Sequence, residues 1–221
     1  EIVVDHAVAD SLVILSSTAD IAVGTDRILQ VRLQDVYGNV LSGESVTFTP
    51  TQGTGSVTGS PATTDANGIA EVSYTASQST GASPDIIEAN FGAGAVTREI
   101  SLPLSVGAVS YYTVVPTTTT PTAGDAAQNV TVTAYDQYDN EVVNSDSIVV
   151  TTIPASSVIL TPSGGEFDFV SSSTYTFTVA DTVMEDFRIR VERFGQSGVQ
   201  GTSDEIVVDH AVADSLVILS S

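Results

Sequence analysis

The strongest constraint on this chain is a duplication. Residues 1–17, EIVVDHAVADSLVILSS, recur without change as residues 205–221, an offset of 204. Seventeen consecutive matches are not accidental, so the chain reads as one period of a repeat plus an overlap. A single copied segment is the plain alternative. A tandem array of near-identical 204-residue units is the reading preferred here.

A fainter repeat divides the period. AVADSLVIL at 7–15 aligns with AVSYYTVVP at 108–116, and QDVYGNV at 34–40 with YDQYDNE at 135–141, both at an offset of 101. Asp35, Tyr37 and Asn39 thereby correspond to Asp136, Tyr138 and Asn140. The expected organisation is residues 1–6 as the last strand of a preceding repeat, 7–104 as a first domain, 105–210 as a diverged second domain, and 211–221 as the first strand of the next repeat. The segment EIVVDHAVADSLVIL runs from one domain into the next without Gly or Pro, which predicts a linker with little slack. Its ends, if left without neighbours, are strands with open edges that pair between molecules.

Composition narrows the chemistry. There is no cysteine, which excludes disulfides, thiolate nucleophiles and cysteine-ligated metal sites. The six cations are all arginine, so Schiff bases, Lys–Asn cross-links and a phosphate-holding P-loop lysine are excluded too. Acids number 27 and the net charge is −21, which repels nucleic acid and anionic membranes. No apolar run approaches the roughly 18 residues of a membrane helix, so membrane insertion of this segment is not expected.

The hydrophobic pattern has a period of two, which places successive side chains on opposite faces of a strand. Leu29, Val31 and Leu33 share one face while Gln30, Arg32 and Gln34 share the other; at the offset of 101 the inward set becomes Val130, Val132 and Ala134. Ile87, Ala89 and Phe91 alternate in the first domain, and Phe187, Ile189 and Val191 in the second. Turn residues, such as Tyr37-Gly38-Asn39 and Asp65-Ala66-Asn67-Gly68, fall at sandwich-like intervals and predict about seven strands per domain. No stretch sustains a 3.6-residue period. The predicted fold is all-β, two tandem immunoglobulin-like antiparallel β-sandwiches, without the Cys pair or Trp of antibody domains.

At Val31–Pro50, VRLQDVYGNVLSGESVTFTP, and Thr63–Ser77, TTDANGIAEVSYTAS, the chain resembles the bacterial immunoglobulin-like repeats of the invasin and intimin type. The first string carries a D-x-x-G-N-x-x-x-G hairpin leading to V-x-F, and the second a T-D-x-x-G-x-A motif. The second domain keeps TVTAYDQYDNEVV, Thr131–Val143, but has Asp139 where the hairpin wants Gly and lacks the second motif. The resemblance implies a non-catalytic structural repeat of an extracellular, cell-surface adhesin or fibre. Its partners are then neighbouring repeats, with a host or surface ligand bound through a domain outside this segment.

The sole imidazole of a period, His6 with its copy His210, has Asp5 and Ser11 near it in sequence but no nucleophile elbow, so linker surface is the better reading than a triad. The serious option is calcium, which takes oxygen ligands from Asp, Glu, Asn and carbonyls. Two groupings qualify: Asp204, Glu205, Asp209 and Asp214 at the boundary, matched by Glu1, Asp5 and Asp10, and Asp136, Asp139, Asn140 and Glu141 at the hairpin tip, with Asp35 and Asn39 as a poorer counterpart. The plain reading of both is turn residues bonding local backbone and acids keeping a surface soluble. With a low aromatic content and no tryptophan, a glycosidase site is not expected. Two further functional readings stand beside the stalk. One is a filament subunit assembled by β-strand addition. The other is a ligand-binding repeat gripping carbohydrate, ice or a host protein through the threonines at Thr47, Thr49, Thr51 and Thr117–Thr120.

Overall fold

The structure, a computed structural model, describes residues 6–163 and 165–211. The chain divides into two units, residues 1–107 and 108–221. Among the described residues everything regular is strand, apart from one short 3₁₀ turn at Thr80–Ala82.

Unit 1 contains β1 (Ala9–Ile14), β2 (Ile21–Ala22), β3 (Asp26–Asp35), β4 (Ser45–Gln52), β5 (Ser56–Thr58), β6 (Ala62–Thr63), β7 (Ile69–Thr75), β8 (Asp85–Phe91), β9 (Val96–Leu102) and β10 (Leu104–Ser105). They form one sheet in the order β1-β3-β7-β5, a second in the order β6-β4-β8-β9, and a parallel clip of β10 on β2. Leu29, Val31 and Leu33 of β3 are fully buried, as the alternation predicts, and join Val46, Phe48, Ile87, Ala89, Ile100 and Leu102 of the facing sheet in one core. Phe91, at the end of its strand, is only half-buried. Full burial of each such aliphatic side chain contributes about 1.5–3 kcal/mol.

Unit 2 repeats the plan with β11 (Tyr111–Pro116), β12 (Gln128–Tyr135), β13 (Ser147–Ile153), β14 (Ile159–Thr161), β15 (Glu166–Asp168), β16 (Thr174–Ala180), β17 (Asp186–Arg193), β18 (Gln196–Thr202) and β19 (Ile206–Val207). Its sheets run β11-β12-β16-β14 and β15-β13-β17-β18, with β19 also on β17. The count exceeds the seven strands per domain predicted from turn spacing, because two- and three-residue segments such as β2, β6 and β19 are too short to show an alternation.

Strand register aligns the two units. Leu29 faces Val72 and Val130 faces Phe177, so Ala70, Val72 and Tyr74 correspond to Tyr175, Phe177 and Val179. Asp85 faces Leu102 and Phe187 faces Ile206. The Val23 N–H donates to Ser105 O and the Ala123 N–H donates to Asp209 O, each at 2.9 Å, which places Asp209 where Ser105 stands and Ile206 where Leu102 stands. Asp85 of unit 1 therefore occupies the position of Phe187 in unit 2. The continuous β9 becomes β18 and β19 in unit 2, separated by residues 203–205.

Candidate functional site

Each unit carries a buried carboxylate at the tip of its third-position hairpin. Asp35 is 1 % exposed, and its Oδ1 accepts the N–H of Tyr37 and of Asn39, both at 2.9 Å. Its Oδ2 accepts the Ala7 N–H at 2.8 Å and the Asn39 Nδ2 at 3.0 Å. The Asn39 amide and these backbone donors hold the Asp35 carboxyl down at about 2, against the opposing effect of burial. Gly38, at φ +83°, lets the chain turn around that carboxylate. Asp136, 0 % exposed, repeats the arrangement with the N–H of Tyr138 at 2.8 Å, the N–H of Asn140 at 3.1 Å and the Asn140 Nδ2 at 3.0 Å.

Asp139 replaces the turn glycine and takes φ +65°. Its Oδ1 accepts the Tyr111 hydroxyl at 2.6 Å, which pushes the Tyr111 phenol up to about 12. Tyr111 also stacks on Tyr135 at 5.4 Å. Of the hairpin residues considered for calcium, Asp136, Asp139 and Asn140 are thus brought into one turn. Asp136 accepts from the N–H groups of Tyr138 and Asn140 and from the Asn140 amide, as a carboxylate that caps its own turn does.

The boundary carboxylates spread along one segment. Asp204, Glu205 and Asp209 are exposed; Glu205 lies 3.9 Å from Arg188, and Asp209 Oδ1 accepts the His210 N–H at 2.7 Å. Asp10 is exposed on β1, while Glu1, Asp5 and Asp214 lie outside the described residues. Among the described residues no three His, Cys, Asp or Glu side chains converge as a metal site. His6 is exposed and its Nδ1 lies 3.0 Å from Ala7 O. Thr47, Thr49 and Thr51 point outward from β4. Thr117–Thr120 follow β11 as a bend in which the Thr117 hydroxyl donates to Asn129 O at 2.9 Å, so they do not continue a flat threonine face.

The sequence reading missed a third carboxylate. Asp85 is buried beneath Tyr74 and Ser77: the Tyr74 hydroxyl and the Ser77 N–H (2.8 Å) donate to Oδ2, and the Ser77 hydroxyl donates to Oδ1 at 2.7 Å. Burial first, and the Asp85 hydrogen bond second, push the Tyr74 phenol up. A Cβ at Gly53 would stand 1.8 Å from Asp85 Oδ1, and one at Gly55 2.7 Å from Oδ2, so both glycines are needed for the chain to close over the carboxylate. The signal was present, because Asp85 precedes Ile87 and Ala89 in the same inward alternation.

The duplicated segment is used in two halves. Its first half, at Ile206–Asp209, closes unit 2, with Ile206 and Val208 buried in the core. Its second half, at Ala9–Ile14, opens unit 1 as β1. These arrangements hold backbone and strands in place.

Residues 10–98 match the family model of the bacterial Ig-like domain, group 1. No curated protein matches the chain. Among solved structures, the D00–D0 domain of intimin is similar at a TM-score of 0.54 and 10% identity, with 89% of this chain and 98% of that one covered. The Escherichia coli adhesin FdeC is similar at 0.51 and 21%, covering 91% and 63%. Invasin, described as a bacterial integrin-binding protein, is similar at 0.51 and 17%, covering 90% and 40%. The chain thus spans less than two thirds of the FdeC and invasin structures, and identities this low speak to a shared fold.

Proposed function

With a bacterial Ig-like domain of group 1 at residues 10–98 and the fold of adhesin Ig-like repeats in both units, we propose that this chain is a structural repeat of an extracellular adhesin, a non-catalytic spacer that carries a binding element away from a cell surface. The observation that carries the reading is the split use of the duplicated segment. Ile206–Asp209 ends one sandwich and Ala9–Ile14 begins another, so one seventeen-residue sequence spells the end of one period and the start of the next. Length then grows with repeat number, and each sandwich contributes its own core and its own stability. The low cation count and net charge of −21 keep such repeats apart in solution. Receptor recognition belongs to a segment beyond the repeats, as fold alone confers no binding site.

The test is display. Chains of one, two and three periods, each ending in the same epitope, are anchored on a bacterial surface and the epitope height is measured by atomic force microscopy. The reading predicts equal height increments per period and no binding of the repeats themselves to host cells. Heights that do not grow with period number, or cell binding by a single period, would overturn it.

A further inference from the structure

Unit 2 encloses a small cavity at the end of β16, with Thr122, Asp125, Gln128, Val179, Asp181 and Phe187 in its lining. Its volume is about 20 Å³, room for one guest the size of a water molecule. Asp181 is 9 % exposed, and its two carboxylate oxygens are treated differently. Oδ1 accepts the Val183 N–H at 2.9 Å and the Ser157 hydroxyl at 3.2 Å. Oδ2 is buried and has no hydrogen-bond partner. Neither Val183 nor Ser157 lines the cavity, so Oδ2 is the oxygen that Asp181 turns toward it. An anionic oxygen buried without a donor is costly, and a guest that meets its charge removes that cost.

The same corner of unit 1 has a different charge plan. The Gly24 N–H donates to Ser77 O at 3.1 Å and the Gly124 N–H to Asp181 O at 2.7 Å; the Thr25 N–H donates to Ala22 O at 3.2 Å and the Asp125 N–H to Thr122 O at 2.9 Å. The hydroxyls of Thr25 and Ser77 are therefore replaced together by the carboxylates of Asp125 and Asp181. Strand register adds a third exchange: Arg27 faces Tyr74 in unit 1, whereas Gln128 faces Val179 in unit 2. Unit 2 has thus gained two carboxylates, lost an arginine and put the smaller Val179 where Tyr74 fills the corner of unit 1. No arginine or histidine is among the described residues that line the cavity.

We propose that this cavity binds one calcium-sized cation, held by the carboxylates of Asp125 and Asp181. Neutral oxygens from Thr122, Gln128 and water complete the shell, because hard cations of this size take six to eight oxygens and accept irregular sets. Asp125 is exposed, which gives the ion a way in from solvent, and its Oδ2 accepts the Thr122 N–H at 2.8 Å, which orders the turn around it. The ion ties residues 121–126 to the end of β16. That turn also grips the closing strand, since the Asp209 N–H donates to Pro121 O and the Ala123 N–H to Asp209 O, both at 2.9 Å. Binding accordingly fastens unit 2 at its last strand and leaves unit 1 unchanged.

The experiment uses the full 221-residue chain, stripped with a chelator and titrated with calcium chloride in a calorimeter. One ion should bind per chain. With Ca²⁺ in excess the unit 2 transition should move to higher temperature while that of unit 1 stays in place, and amide exchange should slow at residues 121–126 and 180–183. Asp125→Thr with Asp181→Ser installs the unit 1 pair and should weaken binding by about tenfold or more, with amide exchange reporting whether unit 2 is still folded. Asp139→Gly and Asp209→Asn, which remove acids outside the cavity, should bind as the wild type does. The proposal is overturned, without any variant, if the wild-type chain takes up no Ca²⁺, if the slowed amides lie elsewhere, or if sodium chloride of matched ionic strength stabilises unit 2 equally. It is also overturned if the folded Asp125→Thr, Asp181→Ser variant binds as tightly as the wild type.

Discussion

The two units fold alike but fill the same corner of the sandwich with opposite chemistry. Unit 1 places Tyr74, Ser77 and Asp85 there, a polar knot in which the buried carboxylate takes three donors. Unit 2 has Val179 and Phe187 at the positions of Tyr74 and Asp85. Gly24 donates its N–H to Ser77 O and Gly124 donates its N–H to Asp181 O, so Asp181 stands where Ser77 does. Bulk moves in compensation. Ala70 and Val72 of unit 1 become Tyr175 and Phe177, which stack with Phe167 at 5.4 and 5.3 Å. The lesson is that this fold requires a filled corner and accepts either a carboxylate met by three donors or an aromatic layer beside Asp181, whose Oδ1 accepts the Val183 N–H at 2.9 Å while its buried Oδ2 has no hydrogen-bond partner, whereas the Asp35 and Asp136 turns are kept in both units because the chain reversal itself depends on them.

The sharpest way to break this comparison is to transplant half of the knot. Phe187→Asp puts a carboxylate against Val179 with no hydroxyl to meet it, and unit 2 should lose about 4 kcal/mol in urea unfolding. Adding Val179→Tyr should recover part of that loss; a double variant no more stable than the single one would show that the two corners are not equivalent. Next in size, Asp85→Ala strands the donors of Tyr74 and Ser77 and should cost unit 1 about 3 kcal/mol while leaving the unit 2 transition in place.

The shared turns sharpen the comparison from the other side. Asp35→Ala and Asp136→Ala should each lower the melting temperature of their own unit by a similar amount, smaller than the effect of Asp85→Ala. Because the folded Asp35 carboxyl titrates below its ordinary 3.8, at about 2, it favours the folded state at neutral pH. That contribution is lost as pH falls from 3.8 through about 2, so acid unfolding of unit 1 should shift to higher pH in Asp35→Asn. The smallest effects belong to the turn residue itself. Gly38→Asp in unit 1 forces a side chain into the left-handed region at about 1 kcal/mol, with no tyrosine in Ala9–Ser11 to hold it. Asp139→Gly in unit 2 relieves a similar strain and loses the Tyr111 hydrogen bond, leaving little net change. Equal effects of the two substitutions would mean that Tyr111 does not compensate Asp139.

Much of this was legible in the sequence, because burial and alternation are local. Leu29, Val31, Leu33, Val130, Val132, Ala134, Ile189 and Val191 all lie fully buried where the period of two places them. The turns at Asp35 and Asp136 were legible as a pair of motifs, but the backbone N–H groups that fold back onto those carboxylates were not, because a hydrogen bond inside a turn leaves no residue signature of its own. Asp85 was overlooked because an acid in an inward register reads as a strand end until Tyr74 and Ser77 are seen above it. Thr117–Thr120 looked like a continuous polar face because a bend after β11 leaves no mark on a run of identical residues.

That the period is a unit of length is tested most directly by small-angle scattering of chains of one, two and three 204-residue periods. The account predicts a maximum dimension that rises by the same increment with each added period. A dimension that levels off while the mass keeps rising would contradict it, because the periods would then fold back on one another and no longer act as a spacer.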